Sequence, residues 1–215
     1  MSCAENVTHD RPIRGRFHAW FLSATADALE EIHGERKRAL FAGLSGTIVE
    51  LGPGTGANCR HYPEGATVIG IEPNLRMHGP LAASAKEHDV ALEIRGLKGE
   101  RLDVASDSVD AVVCTLVLCS VDDPAGVVAE ALRVLKPGGR FVFIEHVADA
   151  PGTLLRRFQR LVQPPWTWCF EGCRPDRDTA PVLRAAGFSR VEIDTFRVRS
   201  PFIHVAPHIA GTCIK

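Results

Sequence analysis

Between residues 47 and 147 the sequence alternates short apolar runs with stretches of helical periodicity, and few folds accommodate that alternation. The runs are TIVEL (47–51), TVIGI (67–71), VALEI (90–94), VDAVVCTLVL (109–118) and RFVFIEHV (140–147), with helices expected over 75–88 and 125–135. Continuous Val/Ile/Leu runs mark strands buried on both faces, and parallel neighbours need a long crossover, usually a helix. The pattern predicts an α/β fold with a mostly parallel sheet covered by helices on both faces. In such sheets ligands bind beyond the carboxyl ends of the strands.

The flanking regions read as additions to this core. Phe17, Trp20, Phe21, Ala24, Ala28 and Ile32 recur near helical spacing, so residues 1–46 are expected to form a helical cap. Pro137, Gly138 and Gly139 are expected to end one helix and turn the chain into the next strand. Residues 150–177 begin helically, break at Pro164 and Pro165 and concentrate Trp166, Trp168 and Phe170, which suggests a lid-like insertion. There Leu154, Leu155, Phe158, Leu161 and Val162 are expected to face inward, and Arg156, Arg157 and Arg160 to be solvated. Residues 178–215 read as a helix stopped by Gly187 and a closing strand pair, completing a single domain with its cofactor-binding core at 47–149.

Composition narrows the function. The 25 basic and 26 acidic residues give a net charge of -1, with no long run of one sign, so no electrostatic footprint for nucleic acid is present. No segment reaches the roughly 18–20 apolar residues of a membrane helix, and the first residues lack a signal-peptide core, so a cytoplasmic protein is expected. Seven cysteines, an odd number, point to reduced thiols. A metal site on Cys169 and Cys173, with Cys59, His61 or His146, lacks a second paired spacing, so no metal is expected.

The strongest chemical signal is Val49-Glu50-Leu51-Gly52-Pro53-Gly54-Thr55-Gly56, at the end of the first run. Glycines there let the backbone turn sharply and approach a ligand without Cβ clashes. Glu72 ends the second run, where a carboxylate can accept hydrogen bonds from both ribose hydroxyls of an adenosine-containing cofactor. Gly52, Gly54 and Ala57 also satisfy a dinucleotide fingerprint. An anionic Glu50 beside the turn would repel a pyrophosphate but attract the ammonium and sulfonium of S-adenosylmethionine. Pro63 also follows too soon after Gly56 for the long helix that normally holds a pyrophosphate.

From about residue 47 to 147 the sequence resembles the class I methyltransferases. ELGPGTG looks like their first motif, GIEPN their acidic second and LKPGGRF the turn before their fifth strand. The resemblance implies a Rossmann-like seven-stranded sheet with an antiparallel last strand. It implies that Gly52, Gly54 and Gly56 line the methionine part of S-adenosylmethionine. Glu72 would hold the ribose, with Pro73, Asn74 and Met77 alongside, and Leu116 would face the donor. Gly99 and Glu100 resemble the segment flanking adenine, although Lys98 stands where an acidic residue is usual.

A closer resemblance, over nearly the whole chain, is to the methyltransferase-like thiol S-methyltransferases. It is carried by GTGANCRHYP (54–63), VVCTLVLCSV (112–121), LRVLKPGG, EHVA (145–148), FEGC (170–173) and PHI (207–209). It implies S-methylation of a small-molecule thiol, natural product or xenobiotic, by a chain without that family's apolar N-terminal anchor, acting as a monomer or homodimer. Methylation of carbon or oxygen in a quinone or phenol, and binding without catalysis, are the alternatives. Positioning carries most of the burden in such an in-line displacement, so a base that supplies thiolate suffices. His146, at a strand end, is the candidate base, with Asp149 as its orienting partner. Trp20, Phe21, Cys119, Trp166, Trp168, Phe170 and His208 are the candidates to contact the acceptor. Cys119 itself reads as an inert thiol, and Asp122-Asp123-Pro124 as a helix start.

Overall fold

Period-two alternation of buried side chains explains how the apolar runs assemble. In the computed structural model, which describes residues 13–215, they become β1 (Thr47–Leu51), β2 (Thr67–Ile71), β3 (Ala91–Arg95), β4 (Val109–Thr115) and β5 (Leu135–His146). With β6 (Arg190–Arg197) and β7 (Pro207–Ile214) they form one seven-stranded sheet, in the order β3-β2-β1-β4-β5-β7-β6. Strands β1 to β5 are paired in parallel, and β7 lies antiparallel between β5 and β6. Val49, Leu51, Val112, Cys114, Phe141 and Phe143 join one core, while Ile48, Ala111, Val113 and Val142 face the other. Each fully buried Phe or Leu contributes about 1.5–3 kcal/mol.

Helices cover both faces: α1 (Arg14–Ala24), α2 (Ala26–Phe41), α3 (Leu75–Glu87), α4 (Pro124–Val134), α5 (Leu154–Cys169) and α6 (Ala180–Ala185). Local chemistry sets their starts. Asn74 caps α3 by accepting from the Arg76 N–H, Asp123 caps α4 from the Ala125 N–H, and Thr153 caps α5 from the Arg156 N–H. Strand order reverses at β1, which sits between β2 and β4, and the loops there open the crevice.

Four expectations are corrected. Pro137-Gly138-Gly139 does not separate helix from strand, because β5 already begins at Leu135 and absorbs the glycines as a register shift against β4. Nor do Pro164 and Pro165 break α5, which continues to Cys169. The turn beyond them is held by packing, with Trp166 4.1 Å from Phe170 and 4.2 Å from His204 between ring centroids. The inward face of α5 is also different: Leu154 and Leu161 are 80% and 75% exposed, and Gln159 is fully buried. Gln159 accepts from the Asp149 N–H and donates to the Val147 and His204 carbonyls, joining three backbone segments that no strand pairing satisfies. Finally, 202–206 is not strand: Ile203–Val205 forms a short 3-10 turn, and β6 is the partner of β7.

Candidate functional site

The crevice begins at the loop after β1, where Gly52, Gly54 and Gly56 have φ of 57°, 57° and 89°. A Cβ on Gly52 would approach the Val117 side chain to 2.6 Å. Glu72, at the end of β2, accepts from the Gly54 N–H at 3.1 Å and the Asn74 N–H at 2.8 Å, tying the glycine loop to the start of α3. Burial raises its pKa, partly opposed by these two hydrogen bonds.

A cavity of about 790 Å³ opens from this loop between the strand ends, α1, α2 and the segment around α5. Of the residues expected at the cofactor, Gly52, Gly54, Glu72, Pro73, Asn74, Met77, Gly99, Glu100 and Leu116 line it. Glu50 and Gly56 do not. Glu50 points into the protein, accepting from the Asn58 side-chain amide and the Tyr62 hydroxyl, each at 2.7 Å, so it braces the segment behind the glycines. Gly56 sits against α3, where its carbonyl accepts from the Ser84 hydroxyl. Lys98 pairs with Asp122 at 3.0 Å, so the departure from the usual acidic residue supplies a surface ion pair at the cavity edge.

Phe21, Cys119, Trp166, Trp168, Phe170 and His208 also line the cavity. Trp20 does not: it is 63% exposed and packs beside Phe17. Phe21, Phe170, Trp166 and Phe202 form a continuous aromatic wall, with successive ring centroids 5.0, 4.1 and 5.4 Å apart.

His146 lines the cavity at the end of β5 and is 5% exposed. Its Nε2 lies 3.1 Å from the Cys173 sulfur, while Nδ1 has no partner among the described residues. Asp149 does not orient it. The chain has left the strand by then, and the Asp149 carboxylate accepts from the Thr153 hydroxyl and pairs with Arg197 outside the cavity. Burial pushes the His146 pKa down, but Cys119 and the Glu145 carboxylate together outweigh it and hold the value above the ordinary 6.5.

Sequence reasoning missed several residues that shape the site. Glu145 is fully buried and accepts N–H hydrogen bonds from Val117 at 2.9 Å, Leu118 at 3.0 Å and Cys119 at 3.4 Å. It holds the loop after β4, where Leu116 adopts a φ of 59° that side-chain-bearing residues rarely take. A signal for it existed: a carboxylate within an apolar strand is costly unless paired. Glu171, also at positive φ, accepts from the Asn74 amide at 2.9 Å and meets His18 at 3.0 Å, bridging α1, α3 and the segment after α5. Nothing local to FEGC announces that contact.

His33 and His208 face each other across the cavity wall, with ring centroids 5.0 Å apart. Burial is the main cause of their low values, about 3 for His33 and about 4 for His208, with Lys37, Arg36 and His146 adding like charge around them. Both stay neutral in the folded protein while the unfolded chain protonates near 6.5. Stability is therefore complete above pH 6.5 and lost as pH falls toward 4. At pH 4.5 the expected loss from His33 alone is on the order of 2–3 kcal/mol, taking about 1.4 kcal/mol per pH unit. Melting temperatures across this range should fall less steeply in His33→Phe than in the wild type; equal slopes would remove His33 as the cause.

This fold and crevice define a Rossmann-like methyltransferase, and the family profile described as "Methyltransferase domain" matches residues 49–143. Over most of its length the chain is also similar to named enzymes. It is 37% identical to the thiol S-methyltransferase TMT1B of Rattus norvegicus over 84% of this chain and 78% of that one. It is 36% identical to the thiol S-methyltransferase TMT1A of Homo sapiens over 93% and 86% of the two chains. The chain belongs to this thiol S-methyltransferase family. Among solved structures, the geranyl diphosphate C-methyltransferase of Streptomyces coelicolor, in complex with S-adenosyl-L-homocysteine, superposes with a TM-score of 0.62 at 17% identity, covering 89% and 75% of the chains.

Proposed function

We propose that the protein transfers the methyl group of S-adenosylmethionine to the sulfur of a small-molecule thiol, in the reducing cytoplasm and as a monomer or homodimer. The observation that carries this reading is the position of His146: buried, at the end of β5, on the wall of a cavity that also begins at the glycine loop. The names of the relatives support the sulfur acceptor.

The cofactor supplies a methyl group on a sulfonium, an activated leaving group. The residues of the crevice fit it: Glu72 offers carboxylate oxygens to ribose hydroxyls, and Gly52 and Gly54 leave room for the backbone to approach. The His146 imidazole takes the proton of the acceptor thiol, whose reference pKa is about 8.5. The bound donor would supply the methyl carbon to the thiolate sulfur, its own sulfur–carbon bond exchanged for the new one and its sulfonium becoming a neutral thioether, with Glu72 and the glycine loop holding its adenosine and methionine parts. The aromatic wall of Phe21, Trp166, Phe170 and Phe202 receives an apolar acceptor and excludes water, with residues 150–177 acting as the lid.

Methyl transfer to a panel of small thiols, phenols and amines, read by mass spectrometry, tests the acceptor. Methylation confined to thiols is expected; products from phenols or carbon acceptors alone would overturn the assignment. His146→Ala should lower kcat for thiols by about 10²- to 10⁴-fold, leaving the KM for the methyl donor near its wild-type value. Unchanged kcat would return His146 to a packing role.

A further inference from the structure

The floor of the cavity holds a group the methyl-transfer reading does not use as a unit. Cys119 follows β4, His146 ends β5 and Cys173 follows α5, so widely separated segments bring their side chains to one point. The two sulfurs and one imidazole nitrogen all lie within 4.8 Å of one another. All three residues line the cavity.

We infer that Cys119, His146 and Cys173 form a binding site for a zinc ion, with the fourth coordination position open to the cavity. Thiolate and imidazole ligands suit zinc, and three protein ligands with one open position is the arrangement of accessible zinc sites. Zinc–sulfur and zinc–nitrogen bonds of about 2.3 and 2.0 Å imply ligand–ligand edges of roughly 3.5–3.8 Å. The His146–Cys173 edge, 3.1 Å in the structure, opens by a few tenths of an ångström to reach that range, and the other two edges already lie within 4.8 Å. Outer partners are in place: the Trp166 indole N–H donates to the Cys173 sulfur at 3.2 Å, and the Ser120 hydroxyl lies 3.4 Å from the Cys119 sulfur.

Binding releases the protons of the two thiols and occupies the His146 lone pair. It also staples the segment after α5 to the ends of β4 and β5. Zinc and thiol deprotonation by His146 therefore exclude each other, so the metal-loaded protein is a resting state that a chelator reverses. The site is defined by protein atoms alone and stands whether or not the acceptor is a thiol.

Cobalt(II) titration of the reduced full chain, without methyl donor or acceptor, reads the site directly. A saturable tetrahedral cobalt spectrum with a thiolate-to-metal band is expected, displaced by zinc, lost in Cys119→Ser and Cys173→Ser and retained in Cys169→Ser. As a check that needs no variant, zinc should protect Cys173 of the wild type, the more accessible of the two sulfurs, from iodoacetamide, mapped by mass spectrometry, while Cys169 stays reactive. Absence of the cobalt spectrum, its survival in Cys173→Ser, or equal alkylation of Cys173 with and without zinc would overturn the assignment. A thiol-methylating enzyme that binds no cobalt would sink this site alone, leaving the acceptor assignment intact.

Discussion

Glu72→Ala is expected to abolish the rise in melting temperature that S-adenosylhomocysteine produces in the wild type. The Glu72 side chain is the carboxylate that ends β2 in the crevice, 6% exposed, with its oxygens already aligned by the Gly54 and Asn74 N–H groups. Hydrogen bonds to a charged group contribute about 1.5–3 kcal/mol each. Loss of those to both ribose hydroxyls should weaken binding by roughly 100-fold or more. The substitution also strands two backbone N–H groups, so the unliganded variant should melt earlier. The decisive quantity is therefore the ligand-induced increment within each protein, not the melting temperature itself. An increment as large in Glu72→Ala as in the wild type would show that the cofactor does not use this carboxylate.

Gly211→Ala should be the most damaging small substitution in the sheet. Gly211 lies in β7 between Phe143 of β5 and Ile193 of β6. A Cβ there would sit 1.9 Å from the Glu192 carbonyl oxygen and 3.1 Å from the Phe143 ring. The first obstacle is backbone within a hydrogen-bonded ladder, so no rotamer change relieves it and the strands must part. A loss of about 3 kcal/mol or more is expected, which at roughly 2–4 °C per kcal/mol for a chain of this size lowers the melting temperature by about 10 °C. Gly79→Ala is the contrasting case. Gly79 lies within α3 with no other segment near its absent Cβ, but Pro80 follows and its ring crowds a preceding Cβ in helical geometry, so the usual helix gain is offset and alanine there should change stability by less than about 1 kcal/mol. Similar melting temperatures for the two variants would contradict the packing described around β7.

These glycines illustrate how unevenly the fold was written into the chain. The glycines after β1 were readable, because a turn between an apolar strand and a ligand leaves a local pattern. Gly211 was not, since its constraint comes from a carbonyl on another strand. The same division holds for the strands. β1 and β2 match the apolar runs residue for residue, whereas the run over 109–118 ends as strand at Thr115. Glu145, on the neighbouring strand, draws the following N–H groups away from the ladder. In α5 the helical spacing of Leu154, Phe158 and Leu161 suggested an inward face, yet the buried residue is Gln159. Three distant backbone groups there required a polar partner, and local hydrophobic periodicity carries no record of that need.

The candidate site divides in the same way. Glu72, Gly52 and Gly54 were legible because each lies at the turn that ends its strand, whereas Asn74 and Met77 came from the family resemblance, and Gly56 does not reach the cavity. His146 was found by its place at a strand end, but its expected partner was wrong: Asp149, close in sequence, turns outward to Arg197, and Cys173 arrives from beyond α5. Sequence alone determined the α/β class and the glycine turn with its strand-end carboxylate, because these follow from periodicity and turn chemistry within a few residues; the strand order, and with it the switch point at β1, came from the structure. Only the tertiary structure decided which groups meet across the cavity floor: the pairings of Cys119, His146 and Cys173, of His33 with His208, and of Glu171 with Asn74. Those contacts join segments separated by tens of residues, and they form only once burial of the sheet has fixed where each strand and helix ends.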